Sequence, residues 1–438
     1  MHSTDVRRFD LNIEKILEGW EIRHALREII ANALDEQALT NTREVNIARD
    51  SNGTWHVRDY GRGLKYEHLT QNENKEKLRQ ADKVVGKFGV GLKDALATLH
   101  RHKVDVTISS KHGEVALTIV PKHGFADVET LHAVISRPQD AAFVGTDFAF
   151  RNVQDSDVSA AKNFFLRFSR DKILDSTNYG QVLRRDDVGK ARIYVKGLLV
   201  AEEDDFAFSY NITSLTAAMN RALNRERTNV GRSAYSDRVK AMLLASTAPE
   251  VAETLADDLQ RMELGTSRDE VKWTDVAVHA CQILNAANKI IFVTATQRTA
   301  ASDAIDHAIS DGYKAVTVPE NIKERLRGIK DIKGNAVREL DVYREEFARS
   351  FEFSFVDRSK LSAKEREVFD LHGAVAKLVG GLPQQVKQIK ISETMRPEFV
   401  SACDALGLWE PANRWIIIKR SELRSVEAFA GTLLHEIT

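Results

Sequence analysis

Glu28, Asn32 and Asp35 fall at helical spacing within the segment EIRHALREIIANALDEQ. Positions i, i+4 and i+7 share one face of a helix. Ile22, Leu26, Ile29, Ile30, Ala33 and Leu34 supply the apolar side of the same segment. A carboxylate, a carboxamide and a second carboxylate on one stripe are costly to bury, because unpaired polar groups lose their hydration. The stripe makes sense if it faces a metal ion and a polyphosphate. For the helix alone, an exposed polar face is the plain alternative.

Two further segments narrow the choice. A strand-like stretch, EVNIA, and a turn at Asp50-Ser51-Asn52-Gly53 lead into a second strand, TWHVRD. That strand runs into Asp59-Tyr60-Gly61-Arg62-Gly63. Further on, Gly86-Lys87-Phe88-Gly89-Val90-Gly91 precedes the helical run LKDALATLHRH. Glycines just ahead of a helix let backbone N–H groups approach a phosphate, and the helix N-terminus adds the positive end of its dipole. The cluster is not a P-loop, since no Gly-Lys-Ser/Thr follows at the required spacing. Nor is it a Rossmann fingerprint, since no strand leads directly into it.

Order and spacing together are more specific than any one motif. E-x-x-x-N-x-x-D, then D-x-G-x-G, then G-x-x-G-x-G, then a late Gly145-Thr146 resembles the GHKL ATPase superfamily. That superfamily includes gyrase, the Hsp-type chaperones, histidine kinases, MutL and MORC proteins. The resemblance covers residues 10–155 and implies a Bergerat-type ATP-binding sandwich. It places Glu28 as the general base that polarises the attacking water, and Asn32 as the ligand of a Mg²⁺ ion bridging the phosphates of ATP. One carboxamide is enough, because magnesium keeps several waters and takes few protein ligands. Asp59 matches the carboxylate that accepts from the adenine amino group, with Thr146 beside it. Gly61 and Gly63 match positions where the backbone nears the purine. Gly86, Lys87, Gly89, Val90 and Gly91 match the lid over the phosphates, with Lys93 a further phosphate contact. Asp35 takes the motif's last acidic position, in a helix-stabilising or supporting role or, equally, a catalytic one.

Catalysis in such a site is mainly positioning and charge stabilisation. A cation from the following domain is therefore expected near the γ-phosphate. ARIYVKGLLV reads as one buried strand, followed by an acidic turn over Ala201–Asp205 and then FAFSYNITSLTAAMNRALNRERTNVGR. This order resembles the middle domain of the Hsp-type chaperones and MORC proteins. Arg227 is the first candidate for the cation, followed by Arg225 and Lys196.

The chain has 438 residues, a net charge of −1 and a hydrophobic fraction of 43%. That length exceeds one core and predicts an α/β (α+β) chain of several domains. The expected divisions are 1–155 for ATP binding, 156–260 for a transducer-like middle domain, 261–335 for a small βαβ unit, and 336–438 for a helix-rich segment. Cys281 and Cys403 are the only cysteines, far apart and outside any metal-like pair, so a disulfide framework is not expected. The polar start MHSTDVRRFD is unlike a signal peptide, and no apolar run reaches bilayer length. A cytoplasmic protein without membrane contact is the expectation. Basic residues Arg221, Arg225, Arg227, Arg232, Arg238 and Lys240 cluster locally and could meet phosphate backbones, but interleaved acids favour a solvated face.

Past residue 250, APEVAETLADDLQRMELGTSRDE reads as a polar helix running into a linker. KIIFVTAT, ASDAIDHAISDG and YKAVTVP read as a parallel βαβ unit carrying Thr294, Thr296 and Arg298 at a strand end. WIIIKRSEL reads as an edge strand and turn before the apolar helix SVEAFAGTLLHEIT. That ending resembles the approach to H-E-x-x-H in zinc metallopeptidases, with His435 as one ligand of an incomplete Zn²⁺ site. The second histidine would fall at residue 439, so a truncated or degenerate zincin-like domain is expected, without peptidase activity.

Two function classes follow. One is a slow Mg²⁺-dependent ATPase switch that closes as a homodimer on ATP, with a protein client or DNA as output. The other is a nucleotide-gated effector controlling the C-terminal domain, in defence or stress. A histidine kinase is set aside because the motifs begin at Glu28, leaving no room for a preceding dimerisation hairpin.

Overall fold

The computed structural model describes residues 6–11, 19–70, 84, 90–122, 125–186, 188–225, 230–262, 265–398 and 403–438. The chain forms two compact units, residues 1–246 and 247–438.

Unit 1 opens with a seven-stranded antiparallel sheet. Its strands are β1 (Arg7–Asp10), β2 (Asn46–Arg49), β3 (Trp55–Asp59), β4 (Asp105–Ser110), β5 (Gly113–Lys122), β6 (Phe125–Ser136) and β7 (Thr146–Arg151), in the order β1-β6-β5-β4-β7-β3-β2. Alternation assigns the faces. Val57, Val106, Ile108, Val115, Phe148 and Phe150 are buried against Leu26, Ile29 and Ile30 of helix α1 (Ile22–Thr40). Between β3 and β4 lie the short helix α2 (Tyr66–Thr70) and α3 (Val90–Arg101), whose Leu92, Ala95, Leu96 and Leu99 join the same core. Helix α1 starts at a capping box: the Glu21 side chain meets the third backbone N–H, and His24 Nδ1 accepts from the Glu21 N–H. It stops at Asn41, whose left-handed φ of 51° suits asparagine. The EVNIA–turn–TWHVRD hairpin is present as β2–β3.

After α4 (Asp155–Lys162), a five-stranded sheet follows, comprising β8 (Ile173–Thr177), β9 (Gly180–Arg184), β10 (Ala191–Val195), β11 (Leu198–Glu203) and β12 (Phe208–Ile212) in the order β11-β10-β12-β9-β8. ARIYVKGLLV is therefore a hairpin rather than one strand. Lys196 and Gly197, at φ 50° and 83°, form its two-residue turn. The expected acidic turn is correspondingly shorter, because Ala201, Glu202 and Glu203 continue β11.

In unit 2 the expected βαβ unit is found: strands Ile290–Val293 and Lys314–Thr317 pair in parallel. Helix Pro249–Leu259 is amphipathic rather than polar, burying Val251, Ala252, Leu255, Ala256 and Leu259. Residues 336–438 are less helix-rich than expected. They carry a four-stranded sheet of Phe355–Val356, Gln388–Ser392, Trp415–Lys419 and Gly407–Glu410, adjacent in that order. WIIIK is thus an internal strand, and its three buried isoleucines explain why it is covered on both faces. No helix among the described residues is long and apolar enough to cross a membrane.

Gly145, the residue before β7, has φ 81°, and a Cβ there would lie 2.1 Å from the Asp59 carbonyl oxygen. Gly145→Ala is expected to destabilise unit 1 by about 2–4 kcal/mol, through strain plus overlap. Urea unfolding followed by circular dichroism checks this, and an unchanged midpoint would contradict it.

Candidate functional site: buried acids on helix α1 and strand β3

Helix α1 delivers the carboxyl and carboxamide groups. Glu28 is 2% exposed and Asp35 1%, while Asn32 is half-buried. The stripe is therefore not a solvated face. Arg27, next to Glu28 and also 1% exposed, donates from Nε at 3.2 Å and Nη2 at 2.8 Å to Glu28 Oε1. Its guanidinium lies 5.5 Å from the Trp20 ring centroid and 5.3 Å from that of Phe164, within cation–π range. Nη1 is buried without a hydrogen-bond partner among the described residues. Arg101 Nη2 and His102 Nε2 hold the Trp20 carbonyl at 2.6 and 3.1 Å. The Phe164 carbonyl accepts from Leu199 N–H of β11 at 2.8 Å. The clamp around Arg27 thus reaches from α3 to the second sheet.

Strand β3 delivers Asp59, which is directly opposite Thr146 on β7. Its Oδ1 accepts from Gly61 N–H at 2.9 Å, and the Thr146 side chain and N–H also hydrogen-bond to the carboxylate. Burial raises the Asp59 carboxyl to about 6; nearby Glu36 also raises it, against the opposing hydrogen bonds. Glu36, one turn beyond Asn32, tethers the following loop. It accepts from Arg62 N–H at 2.8 Å, Nε at 2.9 Å and Nη2 at 2.9 Å. Burial works against ionisation of Glu36, yet these Arg62 bonds hold its carboxyl below the usual value. On the other side, Ser110 Oγ donates to the Leu64 carbonyl at 2.9 Å, and His112 Nε2 contacts the Arg62 carbonyl at 3.0 Å. Gly61 and Gly63 are required by this packing. A Cβ on Gly61 would meet Glu36 Cγ at 2.4 Å, and Gly63, at φ 84°, faces Ser110 Oγ and the Gly145 carbonyl.

Gly91 is buried in the first turn of α3, and of Val90 the structure describes the backbone alone. Gly86, Lys87, Gly89 and Arg227 lie outside the described residues. Arg225 is described as the last residue of its helix, and Lys196 sits in the β10–β11 turn. Thr294 caps a short helix, its Oγ accepting from Gln297 N–H at 3.2 Å. His435 is exposed on the helix Val426–Ile437, and the described residues hold no group of three or more His, Cys, Asp or Glu able to bind a metal. Arg27 and Glu36 escaped the sequence reading. The signal for Arg27 was present, since a cation next to a buried acid is the nearest way to neutralise it.

An ionised carboxylate offers about four acceptor directions, and three of Asp59's contacts come from neighbouring groups of its own fold. A buried acceptor with capacity to spare fits an amino-bearing ring, and the half-buried carboxamide of Asn32 suits a hard cation. This is the chemistry of an ATP-binding GHKL-type ATPase domain. Residues 20–124 match the family described as histidine kinase-, DNA gyrase B-, and HSP90-like ATPase. Residues 156–249 match the family described as the Mycoplasma pneumoniae MPN635 N-terminal domain. The chain is 36% identical over 246 residues to an uncharacterized protein of Mycoplasma pneumoniae, covering 55% of this chain and 98% of that protein, and it belongs to that protein's family. A second uncharacterized protein of the same organism is 26% identical over 155 residues, 35% of this chain and 43% of its own.

Two outcomes follow from the buried acids. Arg27→Met strands the Glu28 charge and is expected to cost about 3–5 kcal/mol, most of it recovered in Arg27→Met/Glu28→Gln. A urea-unfolding cycle showing additive losses would contradict the pairing. For Asp59, the folded carboxyl lies above its unfolded value of 3.8, so the folded chain takes up the proton first. Its cost is present above about pH 6 and is relieved as pH falls towards 4. Asp59→Asn should therefore stabilise by about 1–3 kcal/mol at pH 8 and by almost nothing at pH 4. A pH-independent difference in thermal unfolding would refute this.

Proposed function

We propose that the chain is a magnesium-dependent ATPase switch. The observation that supports this best is the buried Asp59–Thr146 pair set beside the Glu28–Asn32–Asp35 stripe of α1. In this reading Asp59 accepts from the adenine amino group, with Thr146 fixing its orientation. Asn32 would hold Mg²⁺, which would supply positive charge to offset that of the phosphates. Glu28 accepts a hydrogen bond from the attacking water and then its proton. Arg27 pairs with Glu28 and fixes its rotamer; it is a positioning residue. Asp35 supports the helix beneath the site. Gly86, Lys87, Gly89, Val90 and Gly91 form the lid, with Lys93 at its helical end. Arg227, backed by Arg225 and Lys196, supplies the cation for the γ-phosphate.

Closing on ATP would join two copies into a homodimer, as in the chaperone and MORC branch that the domain order resembles. Residues 1–155 then bind the nucleotide, residues 156–260 transmit closure, and the rest delivers the output to a protein client or DNA. That unit 2 folds as a separate body favours a second reading, in which ATP gates an effector in the C-terminal unit and turnover is slow.

Nucleotide binding separates these readings from a scaffold. Asp59→Asn should weaken ATP about tenfold or more and erode the preference over GTP. Asn32→Ala should abolish the magnesium dependence of binding. Calorimetric titration showing wild-type affinity and magnesium dependence in both variants would overturn the assignment.

A further inference from the structure

We propose that the cavity at the β1 end of the first sheet binds a small anionic molecule with an aromatic or apolar body. The floor is set by strand register. Arg7 on β1 is opposite Ile135 on β6, and Ile135 is opposite Val115 on β5. Directly opposed residues share a face, so these side chains form one row, apolar at Val115 and Ile135 and cationic at Arg7. Leu64 and Tyr66, at the entry to α2, form a side wall, and the space enclosed is about 320 Å³. That volume lies at the lower end of small-molecule sites, which begin at roughly 300 Å³.

The rim is cationic. Arg7, Lys65 and Arg137 all line the cavity, and among the described residues none of them has an ion-pair partner. Elsewhere in the chain Arg62, Arg192, Arg358 and Arg420 are each paired with a carboxylate. Glu67 is the sole acid among the described lining residues and has an interaction of its own. Three like charges around one mouth repel each other, and an anion placed between them removes that repulsion. Arg7 lies 5.5 Å from the ring centroid of Tyr66, which is 46% exposed. An exposed aromatic beside an apolar floor calls for a ring or acyl body on the ligand, not inorganic phosphate alone.

On the function proposed above, the cavity adjoins the adenine side of the ATP domain, and its described lining residues do not include Asp59, Gly61, Gly63 or Thr146. Leu64 follows Gly63, and its carbonyl is held by Ser110 Oγ. His112, which also lines the cavity, contacts the Arg62 carbonyl. An occupant therefore presses on the loop that carries Gly61 and Gly63, giving a second ligand access to the Asp59 region.

The test is a calorimetric titration of phenyl phosphate into the full chain, with and without saturating Mg·ATP, and of benzyl alcohol as the uncharged ring. Arg7→Glu/Arg137→Glu reverses exposed charges and leaves the fold intact; Ile135→Trp fills the floor. The expected result is saturable one-to-one binding that ATP does not displace, with benzyl alcohol and the charge-reversed variant each about tenfold weaker and no binding to Ile135→Trp. Absence of saturation, displacement by ATP, or unchanged affinity in the charge-reversed variant would overturn the proposal.

Discussion

An acid taken out of water must be compensated, and among its described residues this domain buries three acids on α1 and β3. Glu28, Asp35 and Asp59 are all at most 5% exposed. Glu28 is neutralised by a guanidinium that is itself enclosed by two aromatic rings. Asp59 has hydrogen bonds but no ion-pair partner among the described residues, and burial raises its carboxyl. Glu28 has a cation against it, whereas the Asp59 carboxyl is left on the edge of titration. Two carboxylates on neighbouring elements thus acquire different chemistry from their surroundings alone.

That compensation ties the fold together. The loop after Asp59 is gripped by Glu36 of α1 on one side and by Ser110 and His112 on the other. Glycines are needed at 61, 63 and 145 because neighbouring groups occupy the space a Cβ would take. The Arg27 clamp carries the same logic outward. Phe164 covers the guanidinium while its backbone bonds the edge strand β11. Any movement of the second sheet relative to α1 would thus disturb the residue that orients Glu28.

The first domain was largely legible in the sequence because its information is local. The i, i+4, i+7 spacing gave α1, and alternation around Asp50–Gly53 gave the β2–β3 hairpin. The Asp59–Thr146 pairing was legible only through the family resemblance, since residues that far apart in sequence meet by sheet register alone. Arg27 was hidden because a helix wheel sets it about 100° from Glu28, whereas a long flexible side chain folds back across that angle. Lys196-Gly197 was read as part of one apolar strand, although two left-handed residues there make a turn. Beyond residue 336, apolar runs such as WIIIK do not reveal their neighbours, so an internal strand passed for an edge. The likeness of the last helix to a zinc motif rests on a fragment, which carries no information about partner ligands, and His435 is exposed.

The central claim is that the buried Glu28 activates water at a bound ATP. Phosphate release from Mg·ATP by the full chain and by Glu28→Ala, with ATP affinity measured on the same samples, tests it most directly. The account predicts slow turnover in the wild type, and in the variant an almost complete loss of turnover with binding retained. Equal turnover in the two proteins, at equal occupancy, would contradict it.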